Sequence, residues 1–148
     1  MSIQINDFGK TTAGQPVKVG ILANDTIEVH ILSYGATIQQ LLVPDRKGNK
    51  VDVVLGYPTV QDYELNTCFL GAVVGRYANR IGGSKFTLYE EEYHVTPNEG
   101  KNCLHSGLHG FDKPVFDMGF EGDDTLVLTA ASPDGTDGFP GNFDLEIQ

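Results

Sequence analysis

"VKVGILANDTIEVHIL" (residues 17–32) decides the fold class of this chain. Two short runs rich in β-branched residues, 17–22 and 26–32, flank Asn24-Asp25. Asn and Asp tolerate the backbone of a tight turn, so the stretch reads as a β-hairpin. The same texture continues outward through "ATIQQLLV" (36–43), "VDVVLG" (51–56), "FTLYEEEYHVT" (86–96) and "TLVLTAA" (125–131). Turn signals separate these runs: "SYG", "PDRKGNK", "GGSK" and "EGDD". Only "TVQDYELN" (59–66) reads as a helix, and a short one. Eighteen glycines and seven prolines in 148 residues suit many turns and few helices. The expectation is an all-β chain built as an antiparallel β-sandwich.

The length is that of one ordinary domain with a sizeable core, and 1–148 reads as a single β domain. There is no internal repeat, low-complexity tract or interdomain linker. The final "GNFDLEIQ" alternates apolar and polar residues like a strand just beginning, which makes this the expected N-terminal part of a longer domain. Twenty acidic residues against ten basic ones give a net charge of −10. Such a field repels phosphate backbones and anionic lipid, so neither nucleic acid nor a membrane is an expected partner. A neutral small molecule fits better. No signal-peptide core opens the chain, and no apolar run approaches spanning length. Cys68 and Cys103 have no CxxC spacing and read as reduced, semi-buried thiols of a cytoplasmic protein.

Three polar constellations stand out. "GRYANRIGG" (75–83) follows "CFLGAVV", an apolar run suited to a buried strand, so Arg76, Asn79 and Arg80 emerge where core meets surface. Asn and Arg offer hydrogen-bond donors in fixed geometry, which suits the oxygens of a polar ligand. The plainer alternative is ion pairing with the chain's many carboxylates, which is the preferred reading for Arg76. "NCLHSGLHGFDK" (102–113) places His105 and His109 four apart beside Cys103. That spacing admits a Cys–His–His metal site, a histidine acting on protons near neutral pH, or a loop imidazole bonded to backbone. His30 and His94 lie alone in strand patterns and receive the last reading. Ser106 has no evident base and orienting acid, so covalent catalysis finds no support. "SPDGTDGFPG" (132–141) bears Asp134 and Asp137 but lacks EF-hand spacing; successive turns explain it.

Taken in order, "GRYANRIGG", "NCLHSGLHGFDK" and "SPDGTDGFPGN", with "SYGATIQQLLVPDRKG" and "DVVLGY" upstream, resemble the aldose 1-epimerase (galactose mutarotase) family. The resemblance spans essentially the whole chain. It implies a β-supersandwich and interconversion of the α and β anomers of aldohexoses such as galactose and glucose, with no metal or organic cofactor. In that chemistry a base takes the proton of the anomeric hydroxyl while an acid protonates the ring oxygen. Asn79 and Arg80 match the family's sugar-contacting pair, and His105 matches its first active-site histidine, beside the ring oxygen. His109 becomes a loop residue. The usual "LHGG" reads "LHSG" here, with Ser106 at a position that suits glycine if φ is positive. The later histidine, aspartate and glutamate of the family have no counterpart in these residues, and neither His94 nor Glu146 matches their context. The implied partners are the sugar and, for catalysis, the missing C-terminal half or a second copy. A non-catalytic carbohydrate-binding module on the same scaffold is the alternative reading, and a metalloprotein using His105 and His109 is a third.

Overall fold

The computed structural model describes residues 2–65 and 67–148. Strands β1 (Ser2–Lys10), β2 (Pro16–Ala23), β3 (Glu28–Leu32), β4 (Ile38–Pro44) and β5 (Lys50–Asp52) form one antiparallel meander in chain order. The β2–β3 hairpin turns where the sequence places it. Asn24 Oδ1 accepts the amides of Thr26 and Ile27, both at 2.8 Å, and Val19 comes to lie opposite Leu32. Helix α1 (Val60–Leu65) begins at Thr59, whose hydroxyl accepts the Asp62 amide at 3.3 Å and donates to the Asp62 carboxylate at 2.5 Å. That local exchange satisfies an otherwise orphaned donor of the first turn. The helix was expected over 59–66, and Asn66 lies outside the described residues.

The chain continues through β6 (Arg80–Ile81), β7 (Lys85–Leu88), β8 (Glu91–His94) and β9 (Cys103–Leu104), where β7 pairs with β8 and β6 with β9. A three-stranded sheet of β10 (Asp117–Glu121), β11 (Thr125–Ser132) and β12 (Phe143–Ile147) completes it.

Period-two alternation lets the five-stranded sheet bury both faces. One face sets Val17, Val19, Leu32 and Tyr34 against Val60 and Tyr63 of α1. The other sets Ile5, Leu22 and Ile31 against Leu126, Leu128 and Ile147 of the three-stranded sheet. The sheets approach so closely at Gly20 that a Cβ there would stand 2.6 Å from Leu126 Cδ2. Each fully buried valine or leucine contributes about 1.5–3 kcal/mol, so these two clusters carry much of the stability. A third, smaller core of Val95, Cys103 and Phe139 lies under the short strands. The architecture is the expected antiparallel sandwich. Among the described residues, no helix is long and apolar enough to cross a membrane.

Three expectations are corrected. "CFLGAVV" (68–74) is not a buried strand: none of these residues is buried, and Phe69 (φ 55°) and Gly71 (φ 65°) turn the chain. It is held by single bonds, from the Ile38 amide to Gly71 O and from the Val73 amide to Gly35 O, both at 2.9 Å. "FTLYEEEYHVT" is two strands, because Tyr89 (φ 49°) and Glu90 (φ 67°) make a two-residue turn with both central φ values positive. Cys103 is fully buried, whereas Cys68 is exposed.

Candidate functional site

The β6–β9 ladder builds the site. Arg80 pairs with Leu104 and Ile81 with Cys103, so Asn79 and His105 meet at the open end of the ladder. The His105 amide donates to Asn79 O and the Asn79 amide donates to His105 Nδ1, each at 3.0 Å. A neutral imidazole accepting at Nδ1 carries its proton on Nε2, so His105 presents an N–H donor on its far side. The Phe69 ring stands edge-on to the imidazole, with centroids 4.6 Å apart, and fixes its plane. The apolar run before "GRYANRIGG" therefore does contribute, but as a turn that delivers one aromatic ring.

Asn79 (φ 65°), His105 (φ 51°) and Ser106 (φ 74°) all adopt the left-handed region, which costs a side-chain-bearing residue roughly 1–2 kcal/mol unless its surroundings hold it. Three side chains do so. The Asn98 amide group donates to Leu104 O at 2.9 Å and Gly107 O at 2.8 Å, and its Oδ1 accepts the Leu104 amide at 2.6 Å. Ser106 Oγ accepts the Tyr77 amide at 2.6 Å and donates to Tyr77 O at 3.2 Å. Asp137, whose side chain is only 3 % exposed, accepts the His109 amide at 2.7 Å. A Cβ at Gly107 would come 2.8 Å from Asp137 Cγ, and the φ of +93° there demands glycine twice over. So all three sequence motifs converge: the third supports the loop of the second, and the second pairs with the first.

The expected ion pairing of Arg76 is corrected, and the two arginines take different partners. Among the described residues, Arg76 meets no carboxylate. Its Nε donates to Ser132 Oγ at 3.0 Å, Nη1 to Pro140 O at 3.0 Å, and Nη2 to Pro133 O at 2.9 Å and to Ser132 O. It ties the first motif to the third. Arg80 is the ion-paired one: Nε and Nη2 donate to the two carboxylate oxygens of Glu99, both at 2.5 Å, while Nη1 donates to Asn79 Oδ1 at 3.1 Å. The guanidinium holds the Glu99 carboxyl below the usual carboxylate range, and Glu99 raises Arg80 in turn. Arg80 also borders an open cleft of about 490 Å³ whose walls include Tyr77, Phe86 and Phe139.

The remaining candidates lie elsewhere or serve the scaffold. His109 Nδ1 stands 3.2 Å from Asp137 Oδ2 with its ring mostly in solvent. His30 lies beside Glu28 (2.7 Å) and His94 beside Glu92 (3.0 Å). Asp134 accepts the Gly141 amide and closes a turn. Glu146, on β12, accepts from Gln148 at 2.9 Å. Cys103 points into the small core, where burial pushes its thiol upward. Among the described residues, no three of His, Cys, Asp and Glu group as ligands for a metal ion. Sequence reasoning missed Glu99, Asn98 and Phe69. The first two share the polar turn "PNEGKN" directly before "CLHSG", and a Glu99–Asn102 bridge folds that turn back onto the ladder.

Comparison with known proteins adds an independent finding. The pattern of the family described as aldose 1-epimerase matches residues 19–148. The chain is similar to the galactose mutarotase of Sus scrofa, 39 % identical over 153 residues, covering 99 % of this chain and 43 % of that protein. It is similar to the aldose 1-epimerase of Escherichia coli K12, 35 % identical over 136 residues, covering 91 % and 39 %. Among solved structures, galactose 1-epimerase from Lactobacillus acidophilus superposes with a TM-score of 0.81 at 29 % identity, over 98 % of this chain and 43 % of that one. An aldose epimerase homologue from C. elegans gives 0.80 at 30 % identity, over 86 % and 40 %. The chain thus spans about two fifths of the length of the curated relatives it matches, from 36 % to 43 %.

Proposed function

We propose a function for this chain from one premise: it belongs to the aldose 1-epimerase family. Its part of the site binds an aldohexose such as galactose or glucose and orients it for interconversion of the α and β anomers. The observation that carries this reading is the reciprocal pairing of Asn79 with His105, which engages Nδ1 and leaves the Nε2–H on the opposite edge of the ring as a donor. An N–H donor there suits the ring oxygen, the atom that gains a proton when the hemiacetal opens. Asn79 keeps its amide hydrogens and Arg80 two of its five N–H groups for sugar hydroxyls. The ring opens as the anomeric hydroxyl loses its proton and the ring oxygen takes one. Rotation about C1–C2 and closure then give the other anomer.

Each positioned proton-transfer group contributes about 10²–10⁴ in rate. Among the described residues, the one carboxylate hydrogen-bonded to the Asn79–Arg80–His105 group is Glu99, and it is engaged with Arg80. The acid and base that complete the reaction are therefore assigned to the rest of the family's length, supplied by a longer chain, a second polypeptide or a second copy. We place this chemistry in the cytoplasm, where the Cys103 thiol stays reduced. A binding module without catalysis is the second reading, favoured by that shortage of proton-transfer groups.

Polarimetry of freshly dissolved α-D-galactose with the purified 148-residue chain separates the readings. Acceleration abolished by His105→Ala establishes an epimerase assembled by this chain. Saturable galactose binding without acceleration, lost in Arg80→Ala and His105→Ala, establishes the binding module. Neither effect, also after adding the complementary segment of a relative, would overturn both.

A further inference from the structure

Glu99 holds the Nε/Nη2 edge of Arg80 with both carboxylate oxygens, at 2.5 Å each. That edge is the planar fork with which arginine takes a carboxylate or phosphate side-on. Asn79 Oδ1 takes a third N–H, on Nη1. What Arg80 has left is one N–H on Nη1 and one on Nη2, adequate for hydroxyl groups. The charge of the guanidinium is meanwhile balanced inside the protein, within a chain of net charge −10. Glu99 contacts Arg80 directly and sits in the turn that its bridge with Asn102 folds back toward β9, so the acidic group belongs to the sugar-facing cluster and not to a distant surface.

We infer that Glu99 makes this site select neutral aldoses against aldoses that carry a carboxylate or phosphate, by filling the anion-binding edge of Arg80 and opposing a second negative charge beside it. The inference rests on the reading that Asn79, Arg80 and His105 bind an aldose. Glu99 acts through Arg80 and is a positioning and specificity residue. No proton transfer is required of it.

The test is titration of D-galactose and of D-galacturonate, which differ in a carboxylate, into the wild-type chain and three variants, followed by ligand-observed NMR. In Glu99→Gln the affinity for galacturonate relative to galactose rises about fivefold, the factor a unit charge ~4 Å away contributes in water. Glu99→Asp, which keeps the charge, holds the wild-type preference. Glu121→Gln, the same charge change on β10, leaves the ratio where it was. Galactose binding with a ratio unmoved in Glu99→Gln, or moved equally by Glu121→Gln, overturns the inference alone. Absence of galactose binding in every variant and the wild type overturns the sugar-site reading and the inference with it.

Discussion

Ser106 gives the sharpest test of how the His105 loop is held. It is 4 % exposed and adopts φ 74°, and its hydroxyl makes both bonds to the Tyr77 backbone. Ser106→Ala keeps the positive φ and removes the hydroxyl, leaving the Tyr77 amide without its 2.6 Å acceptor. An abandoned donor of this kind costs about 1–3 kcal/mol, so a loss of ~2 kcal/mol is expected. Ser106→Gly loses the same bonds but relieves the left-handed strain, worth ~1–2 kcal/mol. Part of that relief, ~0.4–1 kcal/mol, is offset by the greater freedom of glycine in the unfolded chain. Glycine therefore loses only ~1 kcal/mol, and the stability order is wild type, then Gly, then Ala. Urea unfolding with an unchanged m-value reads these differences directly. In a chain of this size ~2 kcal/mol also lowers Tm by about 4–8 °C. Amide exchange at Tyr77 quickens in both variants. An alanine variant as stable as the glycine one, or either within ~0.5 kcal/mol of wild type, refutes the account.

Three further outcomes follow from the same geometry. Arg76→Lys keeps the charge but not the planar fork that reaches Ser132, Pro133 and Pro140, so it destabilises by about 2 kcal/mol in denaturant melts while galactose binding by the folded chain persists. Burial raises the Asp112 carboxyl above its ordinary value, so the folded state resists its ionisation. Its contribution is present in acid and is lost as pH rises through the raised pKa, so the stability difference between wild type and Asp112→Asn shifts against wild type on going from pH 4 towards neutrality. Gly138→Ala would put a Cβ 2.0 Å from the His94 carbonyl oxygen at φ +84°; it loses more than ~1 kcal/mol, seen as a lowered urea midpoint.

The fold was legible where a turn residue announces itself. Asn24 both names the β2–β3 turn and, through its side chain, builds it. The β7–β8 turn hides because Tyr89 and Glu90 are neither Gly nor Asn, and Tyr89 even raises the strand signal while standing 94 % exposed. Residues 68–74 misled for a different reason: an apolar run reads as a buried strand, yet none of these residues is buried, and Gly71, Ala72 and Val73 line an open groove beside β4. Asn79, Arg80 and His105 were visible as donor-rich residues among glycines. Their meeting was not, since β6–β9 pairing joins residues more than 20 positions apart and no local rule specifies it. Glu99 was invisible for the same reason, because its role depends on where that ladder puts Arg80.

Arg76 and Arg80 show why residue type alone does not assign a task. They stand four apart in one motif, and the acidic composition of the chain predicts carboxylate partners for both. The loop 132–140 instead offers Arg76 the carbonyl oxygens of Ser132, Pro133 and Pro140, and the five N–H donors of a planar guanidinium can satisfy several of them at once. With those donors committed to the scaffold, Arg76 has little left to give a ligand. Arg80 sits on the other side of the turn, more than half exposed, with a single carboxylate as its partner. Substitution at Arg76 should therefore act on the stability of every conformation that carries the loop. Substitution at Arg80 should act on binding while the fold persists, since an exposed ion pair adds little to stability. The difference between scaffold and site lies in which donors the surrounding backbone has already taken.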